Sequence, residues 1–410
     1  MSDADETPEE EPADDWRVRA EAIIPGGAST GSKRFATLFG DANAEMPSHY
    51  VRASGCRLWT ADGRELIDCT MALGSVGLGY AEGAVTVAVT QAAERGNVAG
   101  LSHVLEVEVA ERLSDVIPCA ERVRFLKSGA EGVAAAVRIA RAHTKRAHVI
   151  GCGYFGWLDW WTDGPGIVAG AHADFTAVPF DDITALESAA GEAGADLAAI
   201  VIEPVIERLP SEAWIEAARA ICDERGAVLV FDEMKTGFRL RTGGFQEYSG
   251  VTPDLAVFGK AMANGYPLSA IVGREAVMRA ANECWISSTL AGETTALAAA
   301  SAVLDWHEKA EVCEGIWAAG EEMMQGVQRA ISASGLSGVQ VRGIAPMWLL
   351  DFEDEDQRTR FGELALEAGV LFKRGAYNFA CLAHEESDVG EIESAASEAF
   401  VALREELADG

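Results

Sequence analysis

AVLVFDE (227–233) and DLAVFGK (254–260) decide how this chain folds, because each is a short run of buried-type residues that stops on a charge. Runs too apolar to alternate are what strands buried on both faces look like, and the amphipathic stretch after each supplies the crossover that parallel strands need. AHVI (147–150) and LAAIVIEP (197–204) repeat the pattern. From about 80 to 305 the chain therefore predicts an α/β domain, a mostly parallel sheet covered by helices on both faces. In open sheets of this kind ligands settle outside the carboxyl ends of the strands. The polar residues found there are Tyr154, Glu203, Asp232 with Glu233, and Lys260.

Around this domain lie two smaller segments. Residues 16–79 hold strand-like pieces in CRLWTADGRELID (56–68), while 306–410 hold paired strands in VQVRGIAPMWLLDF (339–352) and helices at 354–368 and 388–407. These ends are expected to pack together as a second, smaller α+β domain. Residues 1–15 carry eight acidic side chains within positions 2–15, with no Lys or Arg and two Pro. That composition reads as a disordered tail. No period of 20–50 residues recurs, which excludes solenoids and propellers.

The chain has 410 residues, with 65 acidic against 33 basic and a formal charge of −32. Such a field repels phosphate backbones and anionic lipid, so neither nucleic acid nor a membrane is expected as a partner. Only seven residues are Lys, which makes any Lys in an apolar context informative. Eight cysteines lie scattered with no CxxC, arguing for reduced thiols and a cytoplasmic location. Ala296 to Leu304, the longest near-apolar run, is half the length a bilayer span needs, and no export signal opens the chain. The seven His residues form no HExxH or comparable spacing, so no metal is expected.

Asp232 and Lys260, at two strand ends 28 residues apart, can meet in one crevice after a single crossover. Taken singly, a strand-end Asp often caps a helix and a Lys is usually solvated. Lys127-Ser128-Gly129-Ala130-Glu131 adds a small-residue turn that opens a helix, with Val133, Val137 and Ala140 on one face. Free amides at such a start make an anion site, and Gly129 lets backbone approach a phosphate. GCGYFG (151–156), with Asp174 beyond it, formally matches a dinucleotide fingerprint. That motif requires its last Gly to open a helix, whereas Trp157 to Gly166 reads as an aromatic loop, so a nicotinamide cofactor ranks below another assembly. Pyridoxal phosphate fits more residues at once: phosphate at the 129–130 amides, Tyr154 against the ring, Asp232 at the pyridine nitrogen, and Lys260 in an imine with the aldehyde.

Here the sequence resembles the class III aminotransferases, and among them the branch containing glutamate-1-semialdehyde 2,1-aminomutase. The resemblance runs through IPGGAS (24–29), DGRELIDC (62–69), KSGAEGVAAAVRIAR (127–141), GYFGW (153–157), IVIEPV (200–205), FDEMKTGFR (231–239), FGKAMANGYPLSAIVG (258–273), STLAGET (288–294) and VRG (341–343). It implies a fold-type-I pyridoxal phosphate enzyme with Lys260 as the Schiff-base lysine and Asp232 as partner of the ring nitrogen. It further implies Tyr154 as stacking aromatic, Ser128, Gly129 and Ala130 around the phosphate, and Phe155 and Glu203 near the cofactor. Thr289 matches the Thr lent to the neighbouring subunit's phosphate, which implies a homodimer with shared sites.

Several positions depart from the family pattern and bear on substrate. Phe155 replaces a frequent His, Ala130 a Thr, and Lys235 a Gln or Met. Lys235 either pairs with Glu203 or faces solvent. Lys33-Arg34 falls where the aminomutase carries an Arg for the substrate carboxylate, and a Lys offers a point charge in place of a bidentate fork. Arg374 binds either a substrate carboxylate or a surface acid, and Trp157, with Trp160 and Trp161, either walls a pocket or anchors its loop. The expected activity is amino-group transfer between an amine or amino acid and a carbonyl acceptor through Schiff-base and pyridoxamine intermediates. The alternatives are an intramolecular aminomutase, a racemase or decarboxylase on the same scaffold, and a catalytically silent relative or NAD-binding protein.

Overall fold

The computed structural model describes residues 15–40 and 46–409. The segment expected to be a disordered tail lies outside them except for Asp15. That residue is not tail: its carboxylate accepts from the amides of Arg17 and Val18 (3.0 and 3.2 Å) and caps helix Trp16–Ile23.

Strands β1 (Tyr50–Ser54), β2 (Arg57–Thr60) and β3 (Glu65–Asp68) form an antiparallel meander turned at Asp62-Gly63. The central sheet follows: β4 (Arg122–Leu126), β5 (His148–Cys152), β6 (Phe175–Ala177), β7 (Leu197–Ile202), β8 (Val228–Asp232), β9 (Leu255–Phe258) and β10 (Ser269–Gly273). Its spatial order is β4-β10-β9-β8-β7-β5-β6, and β10 alone runs antiparallel to its neighbours.

Side-chain alternation explains why these runs are apolar throughout. Leu229 and Phe231 of β8 and Ala256 and Phe258 of β9 enter the core under helix Glu212–Arg225, with Trp214, Ile215 and Ala218. Val228, Val230, Leu255 and Val257 point the other way, onto Val133, Ala136, Val137 and Ala140 of helix Gly129–Thr144. Both faces are covered, so neither set of alternate positions can be polar.

The C-terminal region pairs β11 (Val339–Ile344) with β12 (Met347–Phe352), then adds β13 (Val370–Leu371) and β14 (Asn378–Phe379). β13 runs parallel to β3, with Val370 opposite Ile67, so the two ends of the chain share one sheet. Arg57 extends the join by bonding Asp388 (2.6 Å) and Glu391 (2.8 Å) on the last helix, Glu386–Asp409.

Candidate active site

β8 ends on Asp232, and β9, its direct neighbour, places Val257 opposite that residue and reaches Lys260 three positions later. The two side chains thus leave adjacent carboxyl ends. Lys260 sits in a short 3-10 turn with φ +49°, a left-handed conformation costly for a side chain of its size. The turn is seated by close approach: a Cβ on Gly259 would fall 2.6 Å from Met234 Cε and 3.0 Å from the Leu268 carbonyl oxygen.

No hydrogen bond or ion pair reaches Lys260 Nζ among the described residues. Burial, and then the neighbouring Lys235 ammonium, hold it below the usual lysine range against the opposing pull of Asp232 and Glu203. Asp232 is 5% exposed, and the one hydrogen bond it receives among the described residues comes from the Met234 amide to Oδ1 at 3.0 Å. Burial and then the nearby Glu203 carboxylate raise its pKa above the usual carboxylate range. An unpartnered amine and a buried, under-bonded carboxylate, leaving adjacent strand ends, call for a group that brings a carbonyl carbon to the first and a cation to the second.

Beyond β4 the chain turns through Ser128 into helix Gly129–Thr144. Ser128 Oγ accepts from the Glu131 amide (3.3 Å), and Glu131 Oε2 accepts in return from the amides of Ser128 (2.9 Å) and Lys127 (3.1 Å). The Gly129 and Ala130 amides have no protein acceptor among the described residues. They provide the anion cradle expected of a helix start. The residues present therefore fit pyridoxal phosphate: amides for its phosphate, an amine for its aldehyde, and an acid for its ring nitrogen.

The loop after β5 lies across this helix start and contains no helix, which removes the dinucleotide reading of GCGYFG. Its glycines serve close packing. Gly153 (φ +133°) would put a Cβ 2.4 Å from that of Glu203, and Gly156 (φ +86°) would put one 2.3 Å from that of Ala130. The Tyr154 amide donates to Glu203 Oε2 (3.2 Å), and its ring stands edge-on to Trp161 (5.6 Å) while remaining 66% exposed.

Phe155, expected near the cofactor, is 1% exposed and turned into the core, stacked on Trp160 and edge-on to Trp161. Adjacent positions in extended backbone point to opposite sides, so a Tyr154 that faces out sends Phe155 in. Trp160 and Trp161 pack with it as loop anchors, whereas Trp157 is exposed.

Other expected residues do not gather at Lys260. Thr289 lines a separate cleft of about 740 Å³ between the 96–103 loop and residues 286–294, with neither Lys260 nor Asp232 in its walls. Arg374 is committed within the chain, to Glu355 and to Thr359 Oγ1 (3.1 Å), which answers the open choice in favour of a surface acid. Arg34 lies against Gly26, and Lys33 lines a cavity of about 150 Å³ beside Lys373, whose ammonium donates to the Ser32 carbonyl (3.1 Å).

Sequence reasoning missed the turn Met71–Gly74, where φ is +41°, +49°, +60° and +75° in succession. Arg239 donates to the carbonyls of Gly74 (2.9 Å) and Ala380 (2.7 Å), and Asn264 Oδ1 accepts from the amides of Gly77 and Leu78 (both 3.0 Å). This strained segment is thereby bound to the turn that carries Lys260. The available signal was an arginine inside the apolar stretch GFRL (237–240).

A family model described as "Aminotransferase class-III" matches residues 39–156 and 169–382. The glutamate-1-semialdehyde 2,1-aminomutase of Neisseria meningitidis serogroup C / serotype 2a is 31% identical over 422 aligned positions, covering 94% of this chain and 97% of that protein. The 2'-deamino-2'-hydroxyneamine transaminase of Streptomyces kanamyceticus is 33% identical over 369, covering 89% and 92%. Among solved structures, the FumI protein of Sphingopyxis sp. MTA144 in its PLP internal aldimine form superposes with a TM-score of 0.91 at 28% identity, covering 96% of this chain and 97% of that one.

Proposed function

This chain belongs to the class-III aminotransferase family, with pyridoxal phosphate as its cofactor, and from that premise we propose an enzyme that moves an amino group between an amine or amino acid and a separate carbonyl acceptor. The observation that carries the proposal is the unpartnered Lys260 beside the buried Asp232. When bound, the cofactor supplies an aldehyde that takes up the amine and a ring that withdraws electrons from the adjacent carbon. Asp232 would favour the protonated ring nitrogen, and Lys260, whose charge burial disfavours, would move a proton to and from the substrate carbon. Gly129 and Ala130 would hold the phosphate, and Tyr154 would supply an aromatic ring for the cofactor to stack on.

Transfer between two molecules is preferred to the aminomutase reaction because of the cations on the N-terminal turn. Lys33, a point charge, lines the cavity there, while Arg34 is turned against Gly26. Neither arrangement resembles a guanidinium fork prepared for one substrate carboxylate.

We further propose a homodimer in which Thr289 completes the partner's phosphate site. Support comes from exposed Val98, Leu101, Val104, Val107 and Leu290 around the cleft that Thr289 lines. A cytoplasmic location agrees with eight free cysteines, and no helix among the described residues is long and apolar enough to cross a membrane.

A half-reaction screen tests the reading. Protein loaded with pyridoxal phosphate is mixed with single amines, and the visible absorbance of the aldehyde form should decay to the amine form, then return on adding a keto acid or aldehyde. Borohydride should fix the cofactor to Lys260, and Lys260→Ala should abolish that adduct. A single substrate isomerised without any second carbonyl compound would favour the mutase instead.

A further inference from the structure

Lys235 is one of seven lysines, and the chemistry above leaves it unused. It stands three residues after Asp232 on the turn leaving β8, with Nζ 2.6 Å from Glu203 Oε1. Both side chains are almost withdrawn from solvent, at 10% and 11% exposure. The ammonium also lies 4.3 Å from the centre of the Tyr377 ring, and the Tyr377 hydroxyl accepts from the Glu207 amide at 2.8 Å. Glu203 holds the Tyr154 amide with its other oxygen. A continuous set of contacts thus crosses the site from the Tyr154 loop, through Glu203 and Lys235, to Tyr377 in the segment between β13 and β14.

The same pair sits at the strand ends from which Lys260 leaves: Glu203 follows Ile202, which lies opposite Phe231 of β8, and Lys235 follows Asp232, which lies opposite Val257 of β9. The charged groups around that amine are Lys235 and Asp232 from the β8 turn, Glu203 from the end of β7, and Arg239 further along the chain from β8. Lys235 acts on it more strongly than the other three. Burial works against the Lys235 charge, but Glu203 and the Tyr377 ring outweigh it and keep the ammonium ionised above the usual lysine range. Glu203 likewise acts on Asp232 more strongly than any other charge does.

We propose that Lys235 and Glu203 form a positioning pair, a cation presented to Lys260 and backed by an anion, whose balance sets the charge felt at the Lys260 nitrogen while its contacts seat the Tyr154 loop. In a site that water barely enters, removing either member leaves the other uncompensated, and the two removals act with opposite sign. Removing both restores near-neutrality.

The inference rests on the proposed function, and its test reads a spectroscopic midpoint in place of turnover. Purified protein loaded with pyridoxal phosphate is titrated between pH 5 and 10 while its visible absorbance is followed. Lys235→Gln should raise the midpoint by about one pH unit and Glu203→Gln should lower it by about half a unit or more. The double variant should return toward the wild type, and Lys235→Arg, which keeps the cation, should stay close to it. Midpoints that ignore both single substitutions, or that move in the same direction, would overturn the pair. If one single variant fails to fold, Lys235→Arg and the double variant still decide it: an arginine variant displaced by about one pH unit or more from the wild type refutes the charge argument. A wild-type protein with no visible band refutes the functional reading instead.

Discussion

A carboxylate that is 5% exposed and receives a single amide hydrogen bond is costly to keep ionised, yet Asp232 adjoins an amine that needs a negative neighbour. Burial raises its pKa in the protein alone, and a cationic heterocycle placed against it would reverse that direction. Asn preserves the shape of the side chain and removes the charge. Asp232→Asn should therefore still bind pyridoxal phosphate, seen as retained visible absorbance, while the half-reaction slows by about 100-fold or more in stopped flow. Near-normal rates in that variant would remove Asp232 from the ring nitrogen. Glu233, next in sequence, serves structure instead. It is fully buried and accepts from the amides of Phe245 (2.7 Å) and Gln246 (3.0 Å) at the start of a short helix.

Among elements, the left-handed turn Met71–Gly74 stands out, since side-chain-bearing residues in that conformation cost roughly 1–2 kcal/mol each. Such strain persists only where the surroundings over-determine it. Arg239 does this with three carbonyls, those of Ala380, Gly74 and Val76, and with no carboxylate partner among the described residues; its guanidinium also lies 4.9 Å from the Phe379 ring. Burial lowers it to about 10, so it remains charged at neutral pH. Arg239→Ala would leave buried carbonyls without donors and a void, lowering unfolding stability by about 3–5 kcal/mol in urea titration. A loss under about 1 kcal/mol would show that the turn holds itself.

At the scale of the whole molecule, two histidines, His384 buried and His307 half-buried, give the fold a pH limit. Burial drives both His307 and His384 down to about 4. The unfolded chain binds protons at these positions near 6.5 and the folded chain does not, so stability should fall as pH drops from about 6.5 to 4. His384→Asn, whose side-chain oxygen can take the Cys381 amide bond, should flatten part of that slope in urea titrations. An unchanged slope would place the loss elsewhere. The proposed dimer makes a second whole-molecule prediction. Mixing Lys260→Ala with Thr289→Ala protein should restore activity at about a quarter of the sites, because one site of each hybrid draws both residues from intact positions. No recovery would argue for a site built within one subunit.

Much of this molecule was readable before any coordinates, because strand alternation, helix-start chemistry and strand ends are local properties. AVLVFDE and DLAVFGK announced buried parallel strands and placed Asp232 and Lys260 at their ends. The small-residue turn from Lys127 to Glu131 announced the helix start that frees the Gly129 and Ala130 amides, and the structure adds its Ser128–Glu131 cap. What depended on tertiary structure was the direction and partnership of side chains outside the regular elements: Phe155 turned into the core, Arg374 held by Glu355, Lys235 paired with Glu203, the reversed β10, and the left-handed turn held by Arg239. A periodic segment carries its orientation in its own repeat. A loop residue takes its orientation from groups that lie far away in the chain and close in space, and no short window of sequence contains both.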